Sequence, residues 1–372
     1  MKKQIRVLML VPNLRVSNGV ASYAMGYYRK LDHKKVRMDF VCYRNLESPY
    51  VQEIEEQGDH IFFLPPVKKI GEHFKYCKKI ILEGNYDVIH DNSLMITYPI
   101  MLVAKRLIRV RILHSHNTKM GDTRKKEIRN STFKPLLLHT CNYFSACSSL
   151  AGKALFGKRK FKIIPNVIDP QAFRFNEDIR NQKRAEEGCT NKIVIGAVGR
   201  LAHQKNPYFA IDVIEKVVES RDDIVFWWIG SGGLDQDIKR YVDEKGLEGK
   251  IKLLGSRSDV TELYQAMDLF FLPSRFEGFG LACLEAEAAG LPCVVSTEFP
   301  SEINVTGAVK QISLDKNLDV WAIEISNALR KKADREEGFA KVNGSVYSNK
   351  VSGSKLTEFY LELIAHSCGE DK

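Results

Sequence analysis

Pro273-Ser274-Arg275-Phe276-Glu277-Gly278-Phe279-Gly280-Leu281-Ala282-Cys283-Leu284-Glu285-Ala286-Glu287-Ala288-Ala289-Gly290-Leu291-Pro292 lies between two apolar segments, Leu269–Leu272 and Cys293–Val295. The run reads as strand, glycine-broken loop, short helix, glycine stop and strand, the unit of a parallel α/β sheet. Glu277 falls in the loop and Glu285 in the helix, with seven residues between them. Gly278, Phe279, Gly280 and Leu281 form a glycine loop at a helix start, which presents bare backbone N–H groups and favours phosphate. Carboxylates would repel that phosphate, so Glu277 and Glu285 suit neutral hydroxyls. Phosphate together with hydroxyls points to a nucleotide-sugar.

Working back from this run, the second half alternates apolar stretches with amphipathic ones. Strands are expected at Ile193–Val198, Val225–Ile229, Lys252–Leu254, Leu269–Leu272, Cys293–Val295 and Gln311–Ser313. Continuous apolar runs such as Val225-Phe226-Trp227-Trp228-Ile229 suit parallel strands covered on both faces. Gly199-Arg200-Leu201-Ala202-His203-Gln204-Lys205-Asn206 follows the first of them, where open α/β sheets bind ligands. Arg200 offers a planar fork of donors and Lys205 a compact positive charge, both suited to a diphosphate. Asn206-Pro207 reads as an N-cap and first-turn proline. The loop Gly230-Ser231-Gly232-Gly233 lacks a Lys-Ser/Thr ending and is no P-loop.

The first half repeats the pattern, with strands expected at Arg6–Val11, Met38–Tyr43, Ile61–Leu64, Val88–His90, Arg111–His114, Tyr143–Ala146 and Lys162–Ile164. The turn Pro12–Val20, ending in Asn18-Gly19, leads into a helix. Asn tolerates the positive φ such a turn can need. His114-Ser115-His116-Asn117 ends a strand, and the i, i+2 spacing puts both rings on one face of an extended chain. No third ligand lies nearby, which argues against a metal pair. Pro165-Asn166-Val167-Ile168-Asp169 reads as a structural turn, with Asn166 and Asp169 bonding local backbone. The polar stretch Asn176–Asn191 reads as an interdomain linker, and Lys355–Ala365 as an amphipathic helix with a frayed tail after it.

A chain of 372 residues suggests two to three domains, and 44% hydrophobic with 27% charged residues is ordinary for a globular protein. No segment is long and apolar enough to span a bilayer. Met1–Val11 is broken by Arg6 and reads as a first buried strand, not a leader. Eight cysteines without a C-x-x-C pair suit reduced, buried thiols in a cytoplasmic protein. Residues 1–172 hold 30 Lys+Arg against 14 Asp+Glu, whereas 173–372 hold 26 against 32. The basic half implies an anionic partner. No nucleic acid is expected, since the chain shows no RNA-binding aromatic signature, zinc finger or clear helix-turn-helix. An anionic membrane surface is favoured, met by Val67–Leu82 and Lys119–Lys134.

These runs resemble the retaining glycosyltransferases of family 4. The mark is two glutamates at this spacing followed by a G-x-P stop, joined by the G-R-x(n)-K-N run at Gly199–Asn206. H-S-H-N resembles a subgroup acting in bacterial capsule and exopolysaccharide biosynthesis. The resemblance implies the α/β GT-B architecture, two doubly wound Rossmann-like domains facing across a cleft. Residues 1–172 would bind acceptor and 190–350 the donor, with the C-terminal helix, about 353–372, crossing back to the first domain. It implies Arg200 and Lys205 on the diphosphate, Glu277 on the donor sugar, Glu285 on the ribose and His116, in preference to His114, at the reaction centre. Gly19, Gly199, Gly230, Gly232, Gly278, Phe279, Gly280 and Leu281 would line the donor. The implied enzyme uses a nucleotide-sugar, most simply a UDP-sugar, and needs no cofactor and no metal. Its acceptor would be a lipid-linked saccharide, and its place the inner face of the plasma membrane, as a peripheral cytoplasmic protein. The competing readings are a non-catalytic nucleotide-sugar-binding partner and another GT-B enzyme such as a nucleotide-sugar epimerase.

Overall fold

A computed structural model describes residues 4–369 apart from 17, 44–47, 67, 122–123 and 332. The chain forms two compact units, residues 1–167 with 352–372, and residues 168–351. Ser17, Val67 and the tail after residue 369 therefore lie outside the described residues.

The first unit is built on strands β1 (Ile5–Leu10), β2 (Val36–Cys42), β3 (Ile61–Phe63), β4 (Val88–Asp91), β5 (Val110–Ser115), β6 (Tyr143–Ala146) and β7 (Lys162–Ile163). They pair in parallel in the order β3-β2-β1-β4-β5-β6-β7. The second unit holds β8 (Ile193–Val198), β9 (Ile224–Ile229), β10 (Ile251–Gly255), β11 (Leu269–Leu272), β12 (Cys293–Ser296) and β13 (Val309–Ile312). These too are parallel, ordered β10-β9-β8-β11-β12-β13. Every strand expected from an apolar run is present; the central ones, buried on both faces, announce themselves by continuous hydrophobicity. Each sheet reverses its winding once, between β1 and β4 and between β8 and β11. Ligand sites of open α/β sheets form beside such a reversal, at the carboxyl ends of the strands.

Three local expectations are corrected. The stretch 176–191 is no linker. Asn176 caps a helix, Glu177–Glu186, whose basic side chains are drawn onto the second unit. Arg180 and Arg184 both pair with Asp268, and Lys183 meets Asp259 at 2.9 Å. A polar segment can be ordered by ion pairs that a composition reading does not see. Asn206 is not a side-chain cap of the helix Pro207–Glu219; it sits at φ 58° and makes no capping bond. Asn18 has the opposite role from that expected. It is extended, at φ −100°, and its Oδ1 accepts from the N–H groups of Val20 and Ala21, so it caps the helix Gly19–Tyr28.

The C-terminal helix Lys355–Gly369 belongs to the first unit. Leu356, Phe359, Tyr360 and Leu363 lie in the core that also holds β1, β2 and the helix Gly19–Tyr28. The Tyr360 hydroxyl is 2.8 Å from His90 Nδ1. Tyr360→Ala should therefore cost about 3–5 kcal/mol of first-unit stability, read from urea unfolding. A loss below about 1 kcal/mol would show that this helix is dispensable to the core.

Candidate functional site

In the second unit the loops after β8 and β11, the pair flanking the reversal, are bound to each other. Arg275 N–H donates to Gln204 O (2.8 Å), Gln204 Nε2 donates to Phe276 O (3.1 Å), and Lys205 Nζ meets Glu277 Oε1 at 2.5 Å. Lys205 and Glu277 keep only 16% and 7% of their side-chain surface exposed. A pair buried this deeply must stay together, because removing either partner strands the other charge. Arg200 is exposed, and its Nη2 donates to Gln204 Oε1 at 3.3 Å.

The two loop glycines expected at a nucleotide have a packing reason of their own. A Cβ on Gly230 would lie 2.3 Å from Gly199 O, and one on Gly232 2.2 Å from Leu201 O. The loop after β9 is thus pressed backbone to backbone against the Gly199–Leu201 segment, and Trp228 Nε1 also donates to Gly199 O. Gly280 occupies φ 97° at the head of the helix Leu281–Ala288, where a Cβ would strike the Phe299 ring at 2.4 Å. Only glycine fits that start; Cys283 N–H donates to Gly280 O at 2.9 Å, and Leu281 and Ala282, the first helical residues, have no preceding turn to supply acceptors. Phe279 is buried against Tyr347, with ring centroids 4.8 Å apart, so it holds the loop from beneath.

Glu285 projects from this helix. Tyr264, fully buried, places its hydroxyl 3.0 Å from Glu285 Oε2 and 2.9 Å from Ala282 O. Burial pushes the Glu285 carboxyl up to about 7, and the Tyr264 hydroxyl and Lys205 charge pull in the opposite direction. Glu287, two residues on, is structural: Oε1 accepts from both Thr306 N and Thr306 Oγ1, and burial pushes its pKa up to about 7 as well. Arg200, Lys205, Glu277, the Gly280 helix start and Glu285 therefore form one neighbourhood in the second unit. Sequence reading missed Gln204 and Tyr264. Tyr264 lies on the apolar stripe of its helix and reads there as core; only its hydroxyl separates the roles.

Gly19 and His116 belong to the first unit. Gly19 is exposed at the start of its helix, just beyond the carboxyl end of β1. His114 lies at the end of β5 and His116 just beyond it, and their rings stack with centroids 4.4 Å apart. His114 is fully buried, its Nδ1 between Ser145 Oγ (2.9 Å) and Tyr23 OH (3.2 Å). His116 is half-buried, and its Nε2 is 2.8 Å from Asn92 Oδ1. Burial holds the His116 pKa down to about 3, so the ring is neutral near pH 7. At the domain junction Asp169 caps Pro170–Phe173 as expected, whereas Asn166 Oδ1 is buried with no hydrogen-bond partner among the described residues.

Residues 17–172 match a family model described as Glycosyltransferase Family 4, and residues 178–337 one described as Glycosyl transferases group 1. The putative glycosyltransferase EpsF of Bacillus subtilis is 29% identical over 87% of this chain and 88% of its own length. A UDP-Gal:alpha-D-GlcNAc-diphosphoundecaprenol alpha-1,3-galactosyltransferase of Escherichia coli is 28% identical over 79% of each chain. The capsular polysaccharide biosynthesis glycosyltransferase CapH of Staphylococcus aureus is 26% identical over 83% of this chain and 86% of its own. The crystal structure of Anabaena HepE in complex with UDP-glucose superposes with a TM-score of 0.80 at 16% identity, covering 96% of this chain and 100% of that one.

The environment of Glu285 has a measurable cost. Between its ordinary value of 4.5 and about 7 the folded chain holds a proton that the unfolded chain has lost, so stability falls as pH rises through that window. Glu285→Gln should stabilise the ligand-free protein at pH 8 by on the order of 1–3 kcal/mol, with little gain at pH 4.5 or below. Thermal unfolding at both pH values checks this. A loss at pH 8 would show that the carboxylate is not desolvated.

Proposed function

This chain belongs to the family 4 glycosyltransferases, and on that premise we propose that it transfers a sugar from a UDP-sugar to a lipid-linked saccharide. It is a glycosyltransferase of polysaccharide biosynthesis. The finer reading is that transfer retains the anomeric configuration, needs no metal and extends a capsule or exopolysaccharide. The observation that carries it is the neighbourhood at the β8/β11 reversal, where two cations, a glycine helix start and two carboxylates are gathered by direct loop-to-loop bonds. The E. coli relative supports both UDP and a lipid diphosphate acceptor, and the HepE complex supports UDP.

In this reading the bond from the sugar's anomeric carbon to the β-phosphate oxygen breaks with its electron pair leaving on UDP, a bond to an acceptor hydroxyl oxygen forms, and the hydroxyl proton is released with UDP. Arg200, Lys205 and the N–H groups at the Gly280 helix start stabilise the charge that builds on the departing UDP. Lys205, already paired with Glu277, is held in place before the diphosphate arrives. Glu277 then aligns donor-sugar hydroxyls beside the same lysine, and Glu285, fixed through Tyr264, takes the ribose hydroxyls. Glu285 accepts from those hydroxyls more strongly, and through both oxygens, when ionised, so donor affinity should rise with pH through about 7.

The structure separates two substitutions that the sequence treats alike. Arg200→Ala removes an exposed side chain and should lower turnover by about 100-fold or more, in excess EDTA, with unfolding temperature unchanged. Lys205→Ala should lose both turnover and stability, since it strands Glu277. Full activity of Arg200→Ala would sink the diphosphate role.

The membrane reading gains a face. The helices Ile70–Gly84 and Arg124–Thr140 cover the same side of the first sheet, over Leu8, Leu10, Ile89 and Leu113. Their outer surfaces expose Lys75, Lys78, Lys79, Arg124, Lys125 and Arg129 beside Ile70 (52% exposed), Leu82 (51%), Ile128 (59%) and Phe133 (46%). Cations with protruding apolar side chains suit an anionic bilayer surface. Among the described residues no helix is long and apolar enough to cross a membrane. The chain should sediment with phosphatidylglycerol vesicles and release as salt rises. Equal binding to neutral phosphatidylcholine vesicles would remove the electrostatic reading.

A further inference from the structure

We propose that Asn92 is a positioning residue for His116: its amide fixes the imidazole as the Nε2–H tautomer and leaves Nδ1 bare to accept a hydrogen bond from a substrate hydroxyl. The inference rests on the reading of His116 as a substrate-facing group.

Asn92 follows β4 directly, at the winding reversal of the first sheet, and is 3% exposed. Its backbone N–H donates to Leu10 O (3.0 Å), which seats it against the end of β1. The orientation of its side-chain amide follows from its neighbours. Nδ2 lies 3.3 Å from His90 O and 2.9 Å from Met9 Sδ, both acceptors only. The NH₂ group must face them, so the amide oxygen faces His116 Nε2, 2.8 Å away. An amide oxygen only accepts, and Nε2 must therefore carry the proton. In a neutral ring that leaves Nδ1 as a lone pair. Nδ1 has no hydrogen-bond partner among the described residues.

A 180° flip of the ring would put Cε1 where Nε2 meets Asn92 Oδ1, so that hydrogen bond selects the orientation. The ring stacks on His114 at 28° and meets the Tyr23 ring edge-on, at 4.7 Å between centroids. His114 is itself held at Nδ1 by Ser145 and Tyr23, so the face beneath His116 is fixed. A group arranged this way recognises a hydroxyl as a donor. A sugar lacking that hydroxyl would leave the lone pair unmet, and that penalty is what discriminates against it.

Full-length chain labelled with ¹⁵N-histidine, with the His116 signals assigned by their loss in His116→Gln, reports the tautomer directly by long-range proton–nitrogen correlation. The expected result is Nε2–H in the wild type, a mixed or reversed tautomer in Asn92→Leu, and Nε2–H regained in Asn92→Asp, which keeps an acceptor. Turnover of Asn92→Leu should fall about 10–100-fold, with Asn92→Asp partly restored. An Nδ1–H tautomer in the wild type, or an unchanged tautomer in Asn92→Leu, overturns the proposal whatever the activity. If Asn92→Leu keeps full turnover while His116→Gln abolishes it, the positioning role is overturned alone. If both variants turn over normally, it is the placement of His116 at substrate that fails, and the proposal with it.

Discussion

Strands paired in parallel and buried on both faces leave almost no room for polar chemistry within a sheet. In β9 all six residues are buried, as are all four in β11 and in β12. Charged and hydrogen-bonding side chains then gather chiefly where strands end, and loops spread apart where the winding reverses. The rest of the architecture follows from that restriction. Arg200, Lys205 and Glu277 issue from the two strands that flank one reversal. Asn92 follows a strand that flanks the other, and His116 follows the strand beside it.

The loops at the second reversal solve an electrostatic problem before any ligand arrives. Two cations close together repel, and a cluster built only to receive a diphosphate would be costly while empty. Here Glu277 neutralises Lys205, and Gln204 links Arg200 to the backbone of the other loop through Phe276 O. The acid resides next to the base it serves. The same economy governs Glu285, whose carboxylate is desolvated but receives the Tyr264 hydroxyl.

Much of this was legible in the sequence, and the reasons differ by element. Strands such as Ile193–Val198 and Leu269–Leu272 are read directly because burial on both faces leaves an uninterrupted apolar signal. The loops carrying Arg200, Lys205, Glu277 and Glu285 are read from glycine placement and charge. The helix Glu177–Glu186 was illegible, because its order comes from Asp259 and Asp268, some eighty residues away. Asn18 was misread for a related reason: Asn serves both left-handed turns and helix caps, and only the backbone angle distinguishes them. Asn92 and Tyr264 gave no signal, since each acts through one polar atom on an otherwise buried residue.

The last helix gives the first unit an awkward order of assembly. Leu356, Phe359, Tyr360 and Leu363 complete a core begun by Ile5, Val7 and Met9. On the ribosome they emerge only after all of residues 168–351 have been made, and those residues form a compact unit of their own. The half of the protein synthesised first is thus the half finished last. Until then a gap in its core is open to water, beside the helix Gly19–Tyr28, and a truncated or stalled nascent chain would present that apolar surface to chaperones and proteases.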